Sequence, residues 1–98
     1  MTTWLVTRHP GAVEWAEGNG IPFDVHVPHL DPEKVSAADT VLGSLPVHLA
    51  AEVCRRGAHY FNLSLDLPAA QRGRELSAAD LHRYRARLEA YEVIRKPA

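Results

Sequence analysis

The 98 residues include one cysteine, Cys54, and two phenylalanines, and no apolar stretch approaches the roughly 20 residues needed to cross a bilayer. A lone cysteine excludes an internal disulfide, and a cationic start leading into an apolar run of about 7–15 residues is missing, so a reduced, cytoplasmic chain with no membrane partner is expected. Glycine-rich dinucleotide and Walker patterns are absent, as is any four-ligand metal pattern. His26-Val27-Pro28-His29 offers two histidines without further ligands. Neither a cofactor nor a metal is therefore expected. Positive charge is also scarce: 11 Lys and Arg against 12 Asp and Glu give a formal charge of −1. A coat for duplex DNA needs a basic face, so no duplex DNA partner is expected. The balance is uneven along the chain, with residues 1–70 at −4 and residues 71–98 at +3. A local anion site remains compatible with it.

What is present is an alternation of strand and helix signals. Thr3-Trp4-Leu5-Val6-Thr7 reads as a strand ending at Arg8-His9-Pro10-Gly11, followed by a short helix carrying Ala12, Trp15 and Ala16 on one face and closed by Gly18-Asn19-Gly20. Phe23–Val27 alternates as a half-buried strand near a sheet edge, and Asp31-Pro32-Glu33 opens a turn. Asp39–Gly43 reads as a buried strand entering, through Ser44-Leu45-Pro46, a helix over 47–56. The stripe Val47, Ala50, Ala51 and Cys54 is expected to face the core, with Gly57 closing the helix. Cys54 is then a small buried residue rather than a nucleophile. Tyr60–Leu65 alternates as another strand, residues 69–76 form a polar loop, and Ser77-Ala78-Ala79-Asp80 caps a last helix whose stripe is Leu81, Tyr84, Leu88 and Tyr91. On that helix Arg83, Arg85 and Arg87 share no face and read as solvated. The order predicts one small Rossmann-like α/β domain over 1–98, with a mostly parallel central sheet flanked by helices.

Such sheets bind ligands beyond the carboxyl ends of their strands. Arg8 and His9 leave a strand together, pairing a guanidinium that grips phosphate with an imidazole that can move a proton near neutrality. Pro10 and Gly11 open the helix behind them. The other reading pairs Arg8 with a surface acid and lets His9 cap the turn. Ser44 and Leu45 precede a second helix N-terminus, where a hydroxyl and free N–H groups favour phosphate; a plain N-cap serine is the alternative. Ser64 and Asp66 lie at the end of the last predicted strand, and Arg72 and Arg74 flank Gly73 in a loop that is either anion-binding or simply solvated. Strand-Arg-His-Gly also opens the histidine phosphatases, but proline separates His9 from Gly11 here and the chain is short for that fold.

Taken together, Thr3–Ala12, His29-Leu30-Asp31-Pro32, Gly43-Ser44-Leu45-Pro46-Val47, Leu49–Cys54 and Leu63–Pro68 resemble the sixteenth family of the Csx series, small accessory proteins of type III CRISPR systems. The likeness runs over nearly the whole chain, with His48 where that family often has asparagine and Ser44 where threonine is common. It implies a fold related to the CARF domains that sense cyclic oligoadenylate. It also implies a ring nuclease, most of all on cyclic tetra-adenylate, that switches the signal off.

On that substrate the expected reaction is metal-independent attack of a ribose 2′-OH on its own 3′-phosphodiester, with the protein positioning the ring and stabilising charge. Arg8 and His9 are the expected catalytic residues. Pro10, Gly11, Ser44, Leu45, Ser64, Asp66, Arg72 and Arg74 are the expected ligand-binding set. A ring is large beside one 98-residue surface, so a two-fold homodimer is expected. A module that holds the ring without cutting it, a small phosphatase using His9, and a plain interaction protein are the alternatives.

Overall fold

The computed structural model describes residues 1–98. Its elements are β1 (Thr3–Val6), α1 (Pro10–Gly18), β2 (Val25–Val27), a 3₁₀ turn (Pro32–Lys34), β3 (Thr40–Gly43), α2 (Val47–Arg55), β4 (His59–Ser64), a second 3₁₀ turn (Ala69–Gln71), α3 (Ala78–Arg83) and β5 (Arg87–Tyr91). One sheet of order β2-β1-β3-β4-β5 holds all five strands. The first four run parallel, with Val6 opposite both Val27 and Gly43, and Gly43 opposite Asn62; β5 closes the sheet antiparallel to β4. This is the mostly parallel, helix-flanked α/β architecture expected, with β2 at an edge.

Alternation along each strand divides the core into two layers. Val6, Val41 and Tyr60 meet Ala50 and Val53 of α2 on one face of the sheet. Leu5 and Leu42 meet Ala12, Trp15 and Ala16 of α1 and Leu81 of α3 on the other. Helix α2 thus turns a different stripe inward from the one expected. Ala50 and Val53 are buried and Cys54 half-buried, while Val47 is 73% exposed, because the helix packs against β4 through Ala50 and Val53.

The carboxyl-terminal segment departs further from expectation. The Ser77–Asp80 capping box forms, yet α3 stops at Arg83 and Arg85 adopts φ 58°, a left-handed conformation that ends the helix. Residues 87–91 then pair with β4, setting Leu88 opposite Leu63 and Tyr91 opposite Tyr60. Leu88 and Tyr91 are therefore not on the stripe of Leu81 and Tyr84, and Arg87 belongs to a strand. The free edge of β4 offers unpaired backbone groups that an antiparallel strand satisfies, a tertiary gain that outweighs local helix periodicity.

At the amino-terminal end of the sheet, buried Asp39 accepts the N–H groups of Thr2 (2.9 Å) and Ser36 (3.0 Å) and the Trp4 indole N–H (3.2 Å). Those bonds, that from Ser36 foremost, hold its carboxyl below the usual aspartate range. Asp39 anchors the end of the molecule opposite the strand termini discussed below.

Candidate functional site

Strand order 2-1-3-4 makes the β1–β3 boundary a switch point: from β1 the chain moves outward through α1 on one face, and from β3 it moves the other way through α2 on the opposite face. Open α/β sheets carry their ligand crevice at such a point. The two backbones also approach closely there. A Cβ on Gly43, whose φ is 152°, would lie 2.4 Å from the Val6 carbonyl oxygen, so only glycine fits. The two loops leaving this boundary are 7–9 and 44–46, which brings Arg8, His9, Ser44 and Leu45 to one end of neighbouring strands.

The β1–α1 loop is shaped by its backbone. Thr7 donates its N–H to the Val27 carbonyl (3.0 Å), and the His26 ring meets the Thr7 carbonyl (3.0 Å), tying the loop to β2. His9 donates its N–H to the Thr7 hydroxyl (3.1 Å) and occupies the N-cap position of α1, but its imidazole does not cap the helix. Arg8 enters no salt bridge, and both side chains are exposed. The surface-acid partner and the side-chain cap are thus both absent from the structure.

Ser44 is not the α2 N-cap; Pro46 is. Its hydroxyl instead donates to the Leu63 carbonyl (3.0 Å), linking the β3–α2 loop to β4. Leu45 donates its N–H to the Tyr60 hydroxyl (3.0 Å), which contacts the Gly43 carbonyl (3.2 Å) and Asn62 Oδ1 (2.6 Å). Asn62 Nδ2 in turn donates to the Ser64 hydroxyl (2.8 Å). Burial pushes the Tyr60 phenol above its ordinary pKa, keeping it protonated. Tyr60 and Asn62 were missed as site residues. The polar stripe Tyr60-Asn62-Ser64, interleaved with Phe61 and Leu63 on a strand running toward the loops, is the signal that marks them.

α1 and α2 have neither a side-chain cap nor an acidic residue in the first turn. α3 is different: the Ser77 hydroxyl and the Asp80 carboxylate close its capping box. The two helices at the switch point thus have no side chain capping their positive ends.

Two of the remaining expected ligand residues form salt bridges of their own. Asp66 pairs with Arg87 (3.1 Å) and Arg74 with Asp80 (3.4 Å), whereas Arg72 is exposed and forms no salt bridge. The segment just after the arginine loop packs against the start of α1. Gly11, buried at the start of α1, lies against the backbone of Leu76 and Ser77, where a Cβ would come within 2.1 Å of the Leu76 carbonyl oxygen. The missing side chain of Gly11 thus lets α1 seat on the turn before α3.

Residues 4–94 match the protein family described as "Putative CRISPR-associated protein (Cas_VVA1548)". The chain belongs to this family. No curated protein and no solved structure matches it.

In this CRISPR-associated chain two grooves flank α2. The larger, about 420 Å³, is lined by His48, Cys54, Arg55, Val93, Ile94 and their neighbours, and holds none of the expected site residues. The smaller, about 250 Å³, begins at Leu45 and runs between α2 and β4–β5. No three of the histidines, cysteine and carboxylates gather closely enough to hold a metal ion, and no helix is long and apolar enough to cross a membrane.

Proposed function

We propose that this CRISPR-associated protein is a ring nuclease of type III systems, a member of the sixteenth Csx family, acting in the cytoplasm on cyclic oligoadenylate, above all cyclic tetra-adenylate. The observation that carries this reading is the switch point. Unpaired Arg8 and His9 stand there beside two helix N-termini that the protein leaves uncapped, a setting suited to phosphodiester anions. A ribose 2′-oxygen attacks the adjacent 3′-phosphorus, the bond from phosphorus to the 5′-oxygen breaks, and the leaving oxygen takes a proton. The product is a linear oligoadenylate with a 2′,3′-cyclic phosphate and a 5′-hydroxyl. Arg8 stabilises the charge on the phosphorane and His9 moves the proton. Ser44, Leu45 and the α2 N-terminus hold a neighbouring phosphate, with Pro10 and Gly11 presenting the α1 end. Ser64, Asp66, Arg72 and Arg74 flank the ring, and a two-fold homodimer supplies a second set of loops.

One observation favours a second reading. No side-chain hydrogen bond orients Arg8 or His9 in advance, and catalysis gains most from groups already held in place. A module that sequesters the messenger without cutting it needs no such alignment. Incubating the protein with labelled cyclic tri-, tetra- and hexa-adenylate, with and without a chelator, separates the two. Accumulation of the cyclic-phosphate product in both conditions supports the nuclease. Stoichiometric binding with no product over many hours selects the sequestering module, and loss of cleavage with chelator overturns the metal-independent reaction.

A further inference from the structure

We propose that the smaller groove, between the first half of α2 and β4–β5, is a nucleobase subsite that accepts adenine and rejects guanine, with Tyr91 as its stacking face and Asn62 as its reader. This rests on the site's reading as one for cyclic oligoadenylate and extends it to the base.

The groove opens directly from the loop assigned to phosphate: Leu45 and Val47 form its near end, Tyr60 and Asn62 its floor, and Tyr91 and Val93 its far side. Its volume of about 250 Å³ lies just under the range of pockets that enclose a whole drug-sized ligand, which suits a single ring system held at one edge. Apolar and aromatic walls with few polar groups are what a purine face requires. Tyr91 is 51% exposed on the outermost strand, with β4 on one side only, and it lines the groove as its one exposed aromatic side chain.

Asn62 supplies the specificity. One of its amide hydrogens goes to Ser64, and one position on its oxygen is taken by Tyr60. An amide has two donors and two acceptor sites, so one N–H and one lone pair of Asn62 remain free. Together they complement the N7 acceptor and N6 amino donor of adenine. Guanine presents two acceptors, O6 and N7, and would set an oxygen against the Asn62 oxygen. The bonds to Tyr60 and Ser64 also hold the amide in place before any ligand arrives.

The test uses the full chain and two probes, adenosine and guanosine 5′-monophosphate, followed by side-chain NMR. Adenosine monophosphate is expected to shift the Asn62 side-chain amide and Tyr91 ring signals, and guanosine monophosphate to leave them in place. In parallel, Tyr91→Leu keeps an apolar side chain but removes the aromatic face, and is expected to raise KM for cyclic tetra-adenylate about tenfold with kcat little changed. Tyr91→Phe is expected to restore the parent KM, and Asn62→Leu, which removes both the donor and the acceptor, to lose the preference for adenine. If the ring is cleaved but Tyr91→Leu keeps its KM and neither probe moves these signals, the subsite is overturned and the nuclease reading stands. If the ring is neither bound nor cut while adenosine monophosphate alone moves them, the nuclease reading fails and the subsite stands. Equal shifts with both probes overturn the selectivity assigned to Asn62.

Discussion

The Tyr60 hydroxyl accepts the Leu45 N–H at 3.0 Å, so a side chain of β4 holds the turn that carries β3 into α2. The loop assigned to phosphate is therefore positioned by the neighbouring strand, and so is Ser44 through the Leu63 carbonyl. Replacing Tyr60 with phenylalanine keeps the ring in the core but removes the only side-chain acceptor for that N–H. Tyr60→Phe is expected to cost about 1–2 kcal/mol in urea denaturation. Ring turnover is expected to fall further than stability alone explains, whereas loss of stability with parent turnover would make Tyr60 a core residue only.

Arg8 and His9 are exposed and carry no side-chain partner, so their removal leaves the fold intact. Arg8→Ala and His9→Ala should each stay within about 0.5 kcal/mol of the parent in stability. Cleavage of cyclic tetra-adenylate should fall about 100-fold or more in each. Parent-rate cleavage by either variant removes that residue from the reaction.

Gly11 has no room for a side chain, because its Cβ would meet the backbone of Leu76 and Ser77. Backbone cannot swing aside as a flexible side chain can. Gly11→Ala is expected to push α1 from the turn before α3 and to cost about 1–3 kcal/mol. Gly18→Ala, at a position with open space around it, is the control and should leave the melting temperature close to the parent's.

Asp39→Ala strips the acceptor from three donors at the other end of the sheet. Leaving these part-buried donors without their acceptor is expected to cost about 1–3 kcal/mol in all, read as a lower denaturation midpoint. Residual folded protein should still bind the ring, because Asp39 lies remote from the switch point. A variant that folds like the parent would contradict the anchoring role.

Acid should unfold the protein through its paired carboxylates. Glu52 is held down to about 2 from its usual 4.5 by the hydrogen bond from Arg55 and then that from Arg56. Asp80 is lowered by the Ser77 N–H, and Asp39 by the Ser36 and Thr2 N–H groups. A lowered folded pKa means that the unfolded chain takes up protons first, so this stability is complete above the usual carboxylate range and lost as the pH falls toward about 2. Thermal melts across that window should fall steadily in the parent and less steeply in Glu52→Gln. Identical slopes would show that the Glu52 pair contributes nothing to the acid response.

Local chemistry in the sequence was enough to determine most elements and where the loops lie. Pro10 and the apolar positions 12, 15 and 16 specify α1, Ser77 and Asp80 specify the start of α3, and Arg8–His9 and Ser44–Leu45 fall between strand and helix wherever the boundaries are drawn. Those signals are short-range and need nothing from the rest of the chain. The tertiary structure alone decided the rest. Leu88 and Tyr91 fit a helical stripe as written, but the unsatisfied edge of β4 drew residues 87–91 into the sheet. Ser44 resembles an N-cap, yet its hydroxyl donates to the Leu63 carbonyl and Pro46 takes the N-cap position of α2. Strand order, and with it the pairing of β1 with β3 that makes a crevice of two loops, depends on which backbone edges meet. That choice is settled by long-range burial of Leu5, Val6, Val41 and Leu42, for which local periodicity carries no signal.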